Sequence, residues 1–185
     1  MARAIEWFDG RLRILDQSKL PEEQIFVNLD DYRDVVSAIR EMRVRGAPAI
    51  GVAAAYGIAL GASGIKTVNK DDFAAQLNQV VQAFAASRPT AVNLFQAVSR
   101  MKKAAEGAGV AEMKKSLISE AKRIHDEEIT ATKKLSQLGA ELIKDGFAVL
   151  THCNAGPLAT AGYGTALGVI RAAKEQEKKV SVFAT

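Results

Sequence analysis

Cys153 is the single cysteine of the chain, and it stands in a polar setting, Thr151-His152-Cys153-Asn154-Ala155-Gly156. A thiol there can move a proton, or it can fill space as a small hydrophobe. The surrounding Thr151, His152, Asn154 and Thr160 favour chemistry, because an apolar core strand would not end so polar. Two arginines stand at breaks in the chain, Arg45 before Gly46-Ala47-Pro48 and Arg88 before Pro89. A guanidinium beside the free amides of a helix start suits a phosphate. The plainer alternative is a solvated arginine with glycines that only pack. Asp126-Glu127-Glu128 could supply a carboxylate to a site or form a solvated face, and His125 reads as surface.

The elements that must hold these residues follow from periodicity. Phe147–Leu150 is a short apolar strand after Gly146. Leu158, Ala161, Thr165, Val169, Ile170 and Ala173 keep helical spacing, and Val180–Ala184 is a further strand. Strand, loop, helix and strand make a βαβ unit, which places ligands at the carboxyl ends of its strands. Cys153 falls there, with Asn154-Ala155-Gly156 turning toward the helix. A helix N-terminus at that point would favour the thiolate.

Earlier in the chain, AIEWF (4–8) and RLRIL (11–15) flank Asp9-Gly10, a hairpin signal. QIFVN (24–28) is a third strand, so the chain opens on a small antiparallel sheet with Trp7 as a core anchor. Asp30 is placed to cap a helix from Asp31 to about Arg43, with Gly46 as its stop. Pro48 suits the first turn of the next helix, whose Gly51, Ala54, Gly57 and Gly61 allow close packing. Asn69 caps a helix from Lys70 to Ser87. Ser87-Arg88-Pro89-Thr90 breaks it, and a further helix runs through Leu94 and Met101. From Ala111 to Lys144 one stripe joins Leu117, Ala121, Ile124, Ala131, Leu135, Leu138 and Leu142. Glu128 occupies an apolar slot of that pattern, so a kink or break is expected near Asp126 to Ile129.

The 185 residues are 48% hydrophobic and 25% charged, enough apolar material for a core. The net charge of +4 fits small anions, and no basic run or zinc-finger spacing points to nucleic acid. One cysteine argues against a disulfide framework and against a cysteine-rich metal site. Residues 1–12 lack the apolar core of a signal peptide. Ala47–Ala62 is too short and too rich in glycine and alanine to read as a membrane span. The expected compartment is the cytoplasm. A parallel pair with one crossover helix is no viable core, so the chain is expected to be one part of a longer or assembled protein.

Four stretches together carry a specific resemblance: IEWFDGRLRILDQSKLPEE, RVRGAPAIGVAAAYGIALGA, SRPTAVNLF and THCNAGPLATAGYGTALGVIRAA. The chain resembles the N-terminal half of the methylthioribose-1-phosphate isomerase family. That family is grouped with ribose-1,5-bisphosphate isomerases and with regulatory subunits of the translation-initiation exchange factor. The resemblance implies an α/β protein: a mainly helical N-terminal domain with a small antiparallel sheet (1–125), then a linker helix and the first βαβ unit of a Rossmann-like parallel domain (126–185). It implies a homodimer completed by the C-terminal half of the same protein. It also implies aldose-to-ketose isomerisation of 5-methylthioribose 1-phosphate in methionine salvage, with no metal and no nucleotide cofactor. Cys153 matches the family's catalytic thiol. Arg45, Gly46, Ala47 and Arg88 match its phosphate ligands, and Asn154 sits in the same substrate loop. The family's catalytic aspartate matches no residue of this chain. Pro157 departs from the small residue expected in that loop, which would stiffen it. A ribose-1,5-bisphosphate isomerase and a non-catalytic regulatory subunit that senses a sugar phosphate or a nucleotide are the two other readings.

Overall fold

The computed structural model describes residues 4–107 and 109–185. Strands β1 (Ile5–Phe8), β2 (Arg11–Leu15) and β3 (Phe26–Leu29) form an antiparallel sheet in that order. Asp9 and Gly10 both adopt positive φ, which closes the β1–β2 hairpin in two residues. Ile5 pairs with Ile14 and Leu12 with Leu29, and all four are buried on one face of the sheet. Trp7 stacks on Tyr56 at 5.2 Å between ring centroids, in the anchoring role expected of it.

Helices α1 (Tyr32–Arg40), α2 (Ala47–Gly64), α3 (Lys70–Ala85), α4 (Val92–Ala104) and α5 (Val110–Leu142) follow. Asp31, not Asp30, caps α1, accepting from Arg33 N at 2.8 Å. The helix also stops short of Arg43. Met42 takes a left-handed φ of 59°, and Arg43 and Val44 return their amides to Ala38 O. The apolar spacing runs on through Met42 although the helix has ended, and Met42 is exposed. Asn69 caps α3 through the Asp71 and Asp72 amides.

By length and composition α2 could cross a membrane, yet 78% of it is buried among its neighbours here. Its glycines explain how. A Cβ at Gly51 would come within 3.0 Å of Asn93 O on α4, one at Gly57 would overlap the Phe84 ring, and one at Gly61 would overlap Val80. Small residues therefore let α3 and α4 approach the α2 backbone, and that burial outweighs their helix cost of about 1 kcal/mol each.

The remaining elements are a 3-10 turn after β2 (Gln17–Lys19), β4 (Ala148–Thr151), a second 3-10 turn (Pro157–Ala159), α6 (Ala166–Glu175) and β5 (Ser181–Ala184). Strands β4 and β5 pair in parallel, giving the expected βαβ unit. The helix α5 runs unbroken through Asp126–Ile129, so the expected interruption does not break it there. Its Leu117, Ala121 and Ile124 belong to the large core, whereas Ala140 joins a small second core with Ala172 and Ala173.

Past Ile124 the stripe changes sides. Thr132, Ser136 and Ala140 are buried, while Leu135, Leu138 and Leu142 are exposed. Close packing is the reason. A Cβ on Gly139 would overlap Val169, and one on Gly168 would overlap Ser136, so the helices α5 and α6 meet on their small faces.

Candidate functional site

The backbone of the turn from Arg45 to Ala49 is set by glycine. Gly46 has φ of 93° and is the N-cap of α2, and no side chain caps that end. Pro48 lacks an N–H, so the amides of Gly46, Ala47 and Ala49 are what the helix start offers to an anion. Arg45 is exposed beside them. Arg88 lies half-buried in the turn between α3 and α4, where Arg88 O accepts from Ala91 N at 3.1 Å. Among the described residues, neither guanidinium enters an ion pair.

Cys153 follows β4, at the carboxyl end of the parallel pair, and its thiol is exposed. It adopts a left-handed φ of 68°, which is uncommon for a residue with a Cβ and occurs at functional turns. Asn154 beside it is exposed, and His152 Nδ1 lies 2.5 Å from Thr185 Oγ1. The expected helix does not begin here. α6 starts only at Ala166, and the amides at its start, Thr165 N and Leu167 N, are taken up by Ala155 O. Cys153 therefore gains no amide from a helix terminus. Before α6, Thr160 Oγ1 accepts from Gly162 N and Gly164 N, a side-chain alternative to helical bonding that folds the segment back on itself.

The loop from Cys153 and the turn from Arg45 meet. Ala159 lies so close to Gly46 that any Cβ on Gly46 would overlap its backbone. Gln17 Nε2 donates to Leu158 O at 2.8 Å. Gln17 N also donates to Arg43 O at 3.0 Å, and Arg43 Nε donates to Asp16 Oδ2 at 2.9 Å. Burial pushes the Asp16 carboxyl up. The Ser18 hydroxyl and amide, with the Arg43 guanidinium, outweigh that and hold it below the usual carboxylate range. Beyond the Arg88 turn, Asn93 of α4 packs on Gly51 of α2, and no hydrogen bond or ion pair among the described residues ties Arg88 itself to the Arg45 turn or to Cys153.

The acidic cluster is divided. Asp126 is exposed, and Glu127 pairs with Arg100 and Arg123. Glu128 turns inward, where its Oε2 accepts from Ala161 N at 2.7 Å and its Oε1 is buried without a hydrogen bond. Burial raises its carboxyl above the usual range, and the Ala161 amide offsets this only in part. A cavity of about 240 Å³ lies beside it, lined by Pro48, Gly51, Asn93, Arg100 and Ile124 among others. His125 is not a surface residue: it is buried, with Nδ1 2.9 Å from Tyr56 Oη. Sequence reading missed Gln17 altogether. For Glu128 the charge in an apolar slot was the available signal.

The chain belongs to the initiation factor 2 subunit family, whose model matches residues 43–185. Within that family it is similar to methylthioribose-1-phosphate isomerases. It is 58% identical to the one from Dehalococcoides mccartyi over 184 residues, 99% of this chain and 55% of that protein. It is 51% identical to the one from Geobacter metallireducens, over 98% of this chain and 54% of that protein. The crystal structure of 5-methylthioribose 1-phosphate isomerase from Pyrococcus horikoshii OT3 superposes with a TM-score of 0.91 at 32% identity, covering 100% of this chain and 60% of that one. The translation initiation factor eIF-2B, subunit delta, from A. fulgidus superposes at 0.88 with 43% identity, covering 100% and 54%. The chain thus spans about half the length of the curated relatives it matches.

Proposed function

We propose that this chain supplies the phosphate-binding turn and the catalytic thiol of an aldose–ketose isomerase that converts 5-methylthioribose 1-phosphate to 5-methylthioribulose 1-phosphate in methionine salvage. The observation that carries the reading is the seating of the Cys153 loop on the Arg45–Gly46 turn, through Ala159. A phosphate held by Arg45, Arg88 and the Gly46 and Ala47 amides would then fix C1 and C2 of the sugar relative to the thiol. The isomerases that this chain is similar to support the choice of substrate.

The substrate's C1 oxygen carries phosphate, so the ring cannot open by loss of a hydroxyl proton. A general acid protonates the ring oxygen, a base removes the C2 proton, and a proton is returned at C1. Loss of the C2 hydroxyl proton leaves the ketone, so proton gains and losses balance. Cys153 performs one of these transfers, and Asn154 lies against the sugar. A carboxylate from the rest of the protein performs another. We read the complete protein as a cytoplasmic homodimer.

The test is turnover of 5-methylthioribose 1-phosphate by the full-length protein. Cys153→Ser should lower kcat by about 100-fold or more. Arg45→Ala should lower kcat/KM by about 10- to 100-fold through the lost charge-assisted contact. Full turnover by Cys153→Ser would overturn the role of the thiol. The similarity to the eIF-2B subunit favours a second reading, a regulatory subunit that binds a sugar phosphate without converting it. Binding without turnover by the wild-type protein would select it.

A further inference from the structure

Residues 152–165 carry no regular structure beyond the 3-10 turn at Pro157–Ala159, yet they must hold Cys153 at a fixed place. We propose that Gln17, from the turn after β2, and Glu128, from α5, are positioning residues, which pin this loop at two points flanking Ala159, its contact with the Arg45–Gly46 turn. This rests on the reading of Cys153 and Arg45 as parts of one site.

The first point is the Gln17 side-chain amide on Leu158 O. Gln17 is 7% exposed, and it sits on the turn after β2 that also grips Arg43. That grip is double, through Gln17 N on Arg43 O and through Asp16 on the Arg43 guanidinium. One short turn thus ties down both the segment leading to Arg45 and the loop leading from Cys153. The second point is the Glu128 carboxylate on Ala161 N. Leaving the Ala161 amide without an acceptor in this buried setting would be costly, which suits the bond to hold a loop. Only one oxygen of Glu128 is engaged, and the other is buried, so this side chain faces the loop rather than solvent. Between the two points, Ala159 packs so closely on Gly46 that a Cβ on Gly46 would overlap it. A misplacement of about 1 Å at a reacting group can cost about 100-fold in rate.

The test uses the full-length protein, with hydrogen exchange of the peptide covering 156–165, alkylation of Cys153 by iodoacetamide, and kinetics on 5-methylthioribose 1-phosphate. Gln17→Ala and Glu128→Ala should each speed exchange by about tenfold, with alkylation of the already exposed thiol changed less than about twofold. They should lower kcat by about tenfold with KM changed less than about threefold, because the phosphate ligands stay in place. Glu128→Gln, which keeps an acceptor for Ala161 N, should match wild type on all three readouts. The proposal is overturned if the alanine variants keep wild-type exchange and kcat, or if Glu128→Gln behaves as badly as Glu128→Ala. Should the alanine variants fail to fold, Glu128→Asp carries the test, since it keeps the charge but shortens the reach by one methylene. Unchanged exchange in that variant also overturns the proposal. A wild-type protein without turnover, whose variants still loosen the loop as stated, would sink the functional reading and leave the clamp standing.

Discussion

At the scale of single residues, Gly46 is constrained twice. Its φ of 93° with ψ of 135° is a conformation that residues with a Cβ rarely adopt, and Ala159 occupies the space a Cβ would need. Gly46→Ala is expected to destabilise the protein by about 2 kcal/mol or more, the combined scale of backbone strain and overpacking. Denaturant unfolding of the two proteins checks this, and a shift under about 0.5 kcal/mol would refute the tight seating. Glu128 makes a pH-dependent prediction. Its carboxyl is raised in the folded state by burial, so the folded protein binds more protons than the unfolded one between the ordinary glutamate value of about 4.3 and the raised value. Stability should therefore fall as pH rises through that window. Glu128→Gln removes the ionisation and should lack this component of the slope. Urea midpoints of both proteins from about pH 4 to pH 8 would show parallel curves if the idea is wrong.

At the scale of elements, α2 tests whether small residues are there for propensity or for contact. Gly57 and Gly64 lie in the same helix. A Cβ on Gly57 overlaps the fully buried Phe84 ring, whereas a Cβ on Gly64 meets open space. Gly57→Ala should cost about 1–3 kcal/mol despite alanine's better propensity. Gly64→Ala should gain about 0.4–1 kcal/mol by restricting the unfolded chain. Thermal unfolding of the two variants should move in opposite directions, and a shared direction would contradict the packing described. The helix α5 teaches a related lesson. Its leucines past Ile124 keep helical spacing with the core stripe, but a close helix pair needs small residues at its contact. The chain therefore packs Ser136, Gly139 and Ala140 against α6 and leaves Leu135, Leu138 and Leu142 outward.

At the scale of the whole molecule, the two cores are unequal. The large one joins the antiparallel sheet to α1–α5, while the small one holds Ala140, Ile143, Ala172 and Ala173 beside the parallel pair. Leu150 is 69% exposed and Phe183 62%, so one apolar side of that pair lies open in this chain. A two-stranded sheet so little covered opens easily. In the 185-residue chain, amides of β4 and β5 should exchange at least about 100-fold faster than those of α2. Equal protection by hydrogen exchange would show that the small core is stable by itself.

Much of this was legible locally. Asp9-Gly10 demands two positive φ values and so fixes the hairpin. Asn69 caps α3, Pro48 opens α2, and the alternation of Ile5, Leu12 and Ile14 names the buried face of the sheet. The candidate site was legible as residue types at chain breaks, Arg45, Arg88 and Cys153. Backbone conformation, capping and side-chain period are properties of neighbours in sequence, so the sequence by itself determined these. It could not determine that α1 ends before Met42, that His125 lies under Tyr56, or that Glu128 faces inward. Nor could it place Gln17 on Leu158, since those partners are far apart along the chain. Each of these depends on which distant backbone arrives alongside, and on the cost of leaving a buried amide or carbonyl unpaired there. Only the tertiary structure decided them, and with them how the loop bearing Cys153 is seated.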